Sequence, residues 1–396
     1  MAVRAIPNQC DPTLLADIRQ YGKFDTSGCY QCGSCTLSCD LVTDSASFPR
    51  KSIRYALLGL REPLLGSLEP WICHDCGECS DVCPREAEPR TSMATLRRFL
   101  SAQYDWTGIA SRLLRSKAWY VASLVIVAVL TVLLIGGYHI WLLQMGVRDF
   151  ATNSYGVGPG HVFMGEHPAR MTYFVLTVTL LPFLLLLSRV YRIWRHTMGG
   201  SSHGRIPVLA YLEEIWVYVY ETVFEPLMQK CPKKGRWLGH WMLALGTSTM
   251  LAVKIFGLRW FQTDEIYPIY NPQRWVGYLA FVFILYGLGD VMSHRLRKGS
   301  ETKKEANVQD YGLPVLLLLT ALTGLAAHIL RYTGFAVGCH FAYALHVIFA
   351  TPMLLVEMSF GKWAHMIYRP LALYFQAVRD RAEQWATARE GASYAD

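Results

Sequence analysis

Eight of the eleven cysteines fall between Cys29 and Cys83, in two copies of one pattern. Cys29-Tyr-Gln-Cys32-Gly-Ser-Cys35-Thr-Leu-Ser-Cys39 reads C-x2-C-x2-C-x3-C, and Cys73-His-Asp-Cys76-Gly-Glu-Cys79-Ser-Asp-Val-Cys83-Pro84 repeats it. Three thiolates at this spacing fold around one cube of iron and sulfide, while the fourth, three residues on, points away to the neighbouring cube. The expected ligands are Cys29, Cys32, Cys35 and Cys83 for one [4Fe–4S] cluster, and Cys73, Cys76, Cys79 and Cys39 for the second. Gly33 and Gly77 suit a backbone that passes close to the sulfides. A zinc site needs only four thiolates in two pairs and leaves the doubled pattern unexplained. His74, inside the second pattern, is expected as a solvated side chain, and Cys10, Cys231 and Cys339 as free thiols.

A second set of chemically able residues lies in apolar sequence. An imidazole in lipid needs a reason, and two neutral imidazoles on one iron give an electron-transferring b haem. His346 and His365 are 19 residues apart in the last apolar run, about 28 Å along a single helix, enough to serve two haems on opposite sides of a bilayer. Depth matching pairs His240 with His365 on the inner side and His328 with His346 on the outer side. His139, His161, His167 and His340 gather near the outer face and include alternatives to His328, whereas His196, His203 and His294 read as inner-flank residues. Lys254, Asp290 and Glu357 are ionisable groups inside apolar runs, where such groups are paired or functional. Lys254 is the candidate for quinone contact, with snorkelling toward the outer surface as its bland alternative.

These residues must be positioned by two unlike parts of the chain. The sequence is 52% hydrophobic and 17% charged over 396 residues, against about 25% charged in ordinary soluble domains. The excess is uneven: residues 1–116 are polar, basic and cysteine-rich, and long apolar runs occupy 117–368. Six runs have spanning length: 118–147, 171–188, 237–258, 275–293, 311–330 and 332–361. About 20 helical residues cross a bilayer core, and only helices satisfy their own backbone there at such length. The first forty residues carry charges and no apolar core, so a secretory leader is not expected, and a disulfide framework lacks its context.

Lys and Arg collect on one side of the runs, at 112–117, 189–236, 295–304 and in the tail. The positive-inside rule then places both termini and the cysteine module in the cytoplasm. That bias accounts for the net charge of +8 and gives no reason to expect a nucleic-acid partner. Residues 150–168 read as a Gly/Pro-rich outer loop. Residues 206–229 read as an amphipathic helix on the inner membrane face or against a partner, and 371–390 as a weaker version of the same. The expected fold is mainly α: an α-helical domain with two [4Fe–4S] clusters over 1–110, a six-helix haem b bundle over 111–368 with an amphipathic connection at 195–236, and a cytoplasmic tail over 369–396.

The segment FPRKSIRYALLGL followed by WICHDCGECSDVCPR resembles the C subunits of heterodisulfide reductases, iron–sulfur modules of α-helical ferredoxin fold, over roughly residues 10–105. The apolar part resembles the haem b subunits of heterodisulfide reductase and of respiratory nitrate reductase. FGKWAHMIYRPLALYF around His365 and RWLGHWMLALG around His240 are similar to the segments carrying the inner-haem ligands there. His346 matches the outer ligand with one extra residue of spacing, which a bend at Pro352 or a bulge must absorb, because one residue turns an ideal helix by about 100°. Met250 stands where the nitrate reductase family has its other outer histidine, which leaves His328 for that role.

The whole layout resembles the C-subunit family of quinone-interacting membrane-bound oxidoreductases of sulfate-reducing bacteria. That resemblance implies an inner-membrane subunit fed by menaquinol, flavin- and iron–sulfur-containing cytoplasmic partner subunits, and adenylylsulfate reductase as the eventual acceptor. The same wiring in a heterodisulfide-reductase-like or sulfite-reduction complex is the alternative, and a membrane-anchored redox sensor is a reading of a different class.

Overall fold

A computed structural model describes residues 9–42, 47–144, 168–199, 206–230, 234–257, 260, 266–296 and 307–393. Most of the outer loop expected over 150–168, with His161 and His167, lies outside the described residues, as do His203 and Cys231. The fold is helical, and among the described residues the one extended pairing outside helices is a single bridge between Cys10 and Leu60. The chain divides into two compact units, one of Met1–Arg115, Leu187–Trp237 and Ala364–Asp396, the other of Ser116–Leu186 and Leu238–Trp363.

The first unit is built on helix Pro89–Tyr104, whose Met93, Leu96, Phe99 and Leu100 are fully buried together with Leu14 and Ile18 of helix Leu14–Arg19. Proline at the first helical position suits this start, since its missing N–H would lack a partner there anyway. Trp71 packs edge-on against Tyr368 with ring centroids 5.1 Å apart, bringing the long C-terminal helix His365–Ser393 into the same core. The far face of that helix receives helices Val208–Glu213 and Ile215–Phe224: Tyr374 donates to the Tyr211 carbonyl at 2.8 Å, and Arg381 meets Glu214 at 2.7 Å. Asp105, which also accepts from the Ala110 N–H at 2.8 Å, is paired with Arg189 at 3.1 Å, both side chains almost wholly buried. Two helices occupy the stretch where one amphipathic helix was expected, and their outer stripe, including Leu212, Trp216 and Val223, is exposed.

Among the described residues five helices are long and apolar enough to cross a membrane: Lys117–Tyr138, Tyr173–Met198 (divided between the two units at Leu187), Pro272–Leu296, Val308–Tyr332 and Val337–Met358. The sixth expected crossing forms a helix of 23 residues, Lys234–Phe256. Its length suffices, but His240, the Thr247-Ser248-Thr249 run and Lys254 dilute its apolar content. It packs tightly on helix Pro272–Leu296 at two glycines. A Cβ on Gly246 would stand 2.8 Å from the Ala280 carbonyl oxygen, and one on Gly287 only 2.5 Å from that of Gly239. Small residues that let backbones approach are the usual means of helix association in lipid. Ile284, Leu288, Leu317 and Met353 form one buried cluster of the second unit, and Val178, Leu354 and Met358 another.

The last apolar run is not a single helix. Ala336–Pro352 is α-helical, Met353–Met358 is a π-turn, and Lys362–Ala364 is a 3-10 turn before His365 opens the C-terminal helix. His346 and His365 therefore sit on different helices and not on one, and the π-turn after Pro352 is the kind of bulge their spacing calls for. The break falls where the amide of Pro352 cannot donate and where Gly361 follows.

Candidate cofactor sites

The two cysteine patterns fold alike. In each, the residue before the second cysteine has left-handed backbone (Gln31 at φ +57°, Asp75 at φ +60°), and so does the glycine after it, Gly33 at +91° and Gly77 at +99°. A side chain at such a glycine is strained whatever the space around it. Each glycine starts a one-turn helix, Ser34–Leu37 or Glu78–Asp81, which carries the third cysteine inward. The helix following each loop opens near a Pro-Arg pair, Pro49-Arg50 and Pro89-Arg90, and that arginine lies over the loop glycine. Arg50 comes within 3.6 Å of a Cβ placed on Gly33, and Arg90 within 3.7 Å of one on Gly77. The repeated Pro-Arg is the sequence signal that identifies these arginines, and the cysteine spacing alone misses them.

Eight thiols stand around two cavities, four to each. Cys29, Cys32, Cys35 and Cys83 line one, and Cys39, Cys73, Cys76 and Cys79 line the other. Among the described residues no three Cys, His, Asp or Glu side chains are gathered for a single metal ion; the thiols ring a volume instead. Several backbone and side-chain donors point at sulfur: Asp75 N–H to Cys73, Ala87 N–H to Cys83 and the Gln31 amide to Cys29, each at 3.4 Å. Donors of this kind tune a thiolate-bound centre. Burial pushes the Cys39 thiol up to about 11 and raises those of Cys35, Cys73 and Cys79. Loading these sites must therefore displace protons, so assembly is favoured by rising pH.

The surroundings of the two loops differ. Asp75 is held by both Arg90, at 3.1 Å, and Arg97, at 3.6 Å. Arg97 also donates to the Cys73 carbonyl at 3.1 Å. His74 is 9% exposed and accepts a hydrogen bond at Nδ1 from Arg369. This corrects the expectation of a solvated His74: the C-terminal helix, distant in sequence, covers it.

In the second unit His346 and His328 line one cavity of about 350 Å³, together with Lys254, Met250, Tyr278 and Arg274. A volume of this order accommodates a small ligand or headgroup. The His346 Nδ1 lies 2.8 Å from the Thr320 carbonyl oxygen. A carbonyl only accepts, so Nδ1 carries the proton and Nε2 of the neutral ring keeps its lone pair, the arrangement of a metal-binding imidazole. His328 is placed differently. Its Nε2 is 2.8 Å from the Tyr278 hydroxyl, whose two lone pairs already accept from Arg274, at 3.0 Å through Nε and at 2.5 Å through Nη2. Tyr278 therefore donates to His328, and ligation through that nitrogen would require this bond to be given up.

His240 lies on helix Lys234–Phe256 in the second unit and His365 opens the C-terminal helix in the first. Asp290 lies 3.5 Å from His294. Glu357, fully buried in the π-turn, accepts from the Tyr120 hydroxyl and, at 3.2 Å, from the Lys362 N–H. Cys10 and Cys339 carry free thiols that donate to the backbone carbonyls of Leu58 and Ala327.

Residues 25–87 match the 4Fe-4S dicluster domain family. A protein of Archaeoglobus profundus that is like the C subunit of heterodisulfide reductase is 34% identical over 100 residues, covering 25% of this chain and 53% of that protein. The C2 subunit of the H(2)/formate:CoB-CoM heterodisulfide,ferredoxin reductase of Methanococcus maripaludis is 43% identical over 75 residues, 19% of this chain and 40% of that one. The second iron–sulfur C subunit of the CoB–CoM heterodisulfide reductase of Methanocaldococcus jannaschii is 39% identical over 84 residues, 21% and 44% of the two chains. The chain spans about half the length, or less, of these curated relatives. No solved structure matches. Residues 25–87 are thus similar to an iron–sulfur module, in a chain whose described residues include five helices long and apolar enough to cross a membrane.

Proposed function

We propose that this chain is the membrane subunit of a respiratory complex that oxidises menaquinol and passes the electrons through b haems and two [4Fe–4S] clusters to cytoplasmic flavin- and iron–sulfur-containing subunits. On this reading adenylylsulfate reductase receives them in dissimilatory sulfate reduction. The observation that carries it is the division of eight thiols into two rings of four, in a chain with five helices, among the described residues, long and apolar enough to cross a membrane. That donor set fits two clusters, with Cys29, Cys32, Cys35 and Cys83 holding one and Cys39, Cys73, Cys76 and Cys79 the other.

The clusters and haems supply one-electron transfer when bound. The protein's own contribution is placement. His346, locked by Thr320, offers Nε2 for the outer haem; His328 is its proposed partner, with Met250 lining the same cavity. The inner pair, His240 and His365, rests on the family resemblance of their flanking segments. Lys254 is the proposed donor to a quinone carbonyl, since it lines the apolar cavity and its ammonium can only donate. Menaquinol loses two electrons and two protons there, and no residue needs to act as a nucleophile.

A second reading is favoured by the names of the relatives, which are subunits of heterodisulfide reductases. The same wiring then belongs to a heterodisulfide-reductase-like or sulfite-reduction complex. The test is spectroscopy and metal analysis of the purified complex. Expected are a b-haem absorption band that a menaquinol analogue reduces and about eight cluster irons per chain. K254A should weaken the response to the analogue. A complex without the haem band ends the conduit reading, and co-purifying subunits without flavin transfer it to the second assembly. A protein whose haems are reduced but never reoxidised through the clusters is a sensor.

A further inference from the structure

Within the first unit, the carboxylates of helices Val208–Glu213 and Ile215–Phe224 face the protein and the apolar side chains face away from it. Glu213 and Glu214 both meet Arg381 of the C-terminal helix, at 3.5 and 2.7 Å, and Glu221 is buried. Val208, Leu212, Trp216, Val219 and Val223 are exposed, Leu212 at 65% and Trp216 at 70%. Each lies three or four residues from the last, the spacing of one helix face. A helix bathed in water turns its polar side outward and its apolar side to the core. This pair does the reverse, so its outer face is built for an apolar covering.

The ends of the stripe say which covering. Trp194 donates its indole N–H to the Tyr211 hydroxyl at 3.2 Å, and Trp237 donates to the Phe224 carbonyl at 3.1 Å. Trp194 belongs to the last turns of Tyr173–Met198, a helix long and apolar enough to cross a membrane. On that helix Leu187, Tyr191 and Trp194 are exposed at steps of four and three, so one apolar face runs down to the residue that holds Tyr211. The stripe therefore begins where the face of a spanning helix ends. Tyr191, Trp194, Trp216 and Tyr220 are exposed there, and such rings gather at headgroup level. Arg192, Arg195 and Arg236 flank the segment and suit headgroup phosphates.

We propose that the outer stripe of 208–224 is a bilayer-docking surface, on which both helices lie in the interfacial layer of the membrane that Tyr173–Met198 crosses. The occupant is phospholipid, with Leu212 and Trp216 among the acyl chains. A protein in its place would have to strip lipid from the helix face that the stripe continues. The inference rests on the reading above only in that the chain spans a membrane, and on none of its redox groups. It also gives the segment a purpose. Held from behind by Tyr374 and Arg381, the two helices fasten the unit that carries the eight thiols to the membrane surface.

The test is photolabelling of the intact complex in nanodiscs of phosphatidylcholine and phosphatidylglycerol. One phospholipid carries a diazirine on its acyl chain, and adducts are mapped by mass spectrometry. Leu212, Trp216 and Val223 should be labelled as helix Lys117–Tyr138 is, and the buried Ala210 should not. The double variant L212E/W216E should lose about tenfold of the stripe's adducts, since carboxylates leave the acyl layer for water. Its iron content and the labelling of Lys117–Tyr138 should stay unchanged. A labelled Lys117–Tyr138 beside an unlabelled stripe overturns the proposal, and so do crosslinks from the stripe to a co-purifying subunit in place of lipid. Stripe adducts that persist in the double variant overturn it as well. Should that variant lose its iron, W216E alone is read by the same criteria. A complex with no adducts on any of its long apolar helices would end the membrane reading itself, which is a different failure.

Discussion

At the scale of single residues, the crossing of Cys39 and Cys83 is the feature with the sharpest consequence. Cys39 belongs by sequence to the first loop yet lines the cavity of the second, and Cys83 does the converse. C39S should therefore remove the same resonance as C76S and reduce the iron from about eight to about four per chain. C83S should match C32S. If C39S instead copies C32S, the ligands do not cross. This part was legible because cysteine spacing is local and the cluster geometry it serves is rigid. His74 and Arg369 were not, since their contact joins positions 295 apart and neither has a neighbour that reports it. Tyr278 and Arg274 escaped for a related reason. Their effect on His328 is a matter of which atom donates, and only the folded geometry decides that.

At the scale of elements, the π-turn Met353–Met358 matters most. The lengthened spacing between His346 and His365 calls for a bend or bulge near Pro352, and a π-turn directly follows that proline. The wider turn directs Glu357 toward the Tyr120 hydroxyl and the Lys362 amide, partners no periodicity could name. Y120F would leave a fully buried carboxyl short of one hydrogen bond, at a cost of about 1–3 kcal/mol. The expected result is a thermal midpoint several degrees lower for the solubilised protein with its iron content intact. An unchanged midpoint would mean that the Lys362 amide and the neighbouring backbone anchor Glu357 alone. Helix Lys117–Gln144, by contrast, was legible outright. Its residues Val125, Ile126, Leu130 and Leu133 share one exposed apolar face, the kind of surface that lipid covers.

The whole molecule joins a unit with buried ion pairs to one built for lipid, and acid should find the first. Burial alone pushes the Glu69 carboxyl up, but Lys51 at 2.9 Å and the Ser67 hydroxyl at 2.5 Å outweigh it and hold it below the usual carboxylate range. Asp105 is likewise raised by burial and brought down further by Arg189 and the Ala110 N–H. A carboxyl lower in the folded than in the unfolded chain contributes stability above the ordinary range, and that stability is lost as pH falls through the folded value. The melting midpoint of the first unit should fall below about pH 4. D105N should start lower at neutral pH, by about 3–5 kcal/mol, because it leaves Arg189 buried without its counter-charge, and should respond less to acid. Equal pH profiles for the two proteins would show that the pair does not govern acid stability. The other whole-molecule question is parity. The positive-inside rule leads one to expect both termini on one side, which would require an even number of crossings, and five helices meet the apolar standard among the described residues. Lys234–Phe256 decides. Its glycine-mediated packing on the spanning helix Pro272–Leu296 favours crossing, while Lys254 opposes it by about 2.5–3.5 kcal/mol unless the ammonium reaches the interface. Alkaline phosphatase fused after residue 296 and at the C-terminus should be inactive at both sites, and a fluorescent protein should be bright at both. With Lys234–Phe256 lying outside the bilayer, every later connection would change sides, and both phosphatase fusions would turn active.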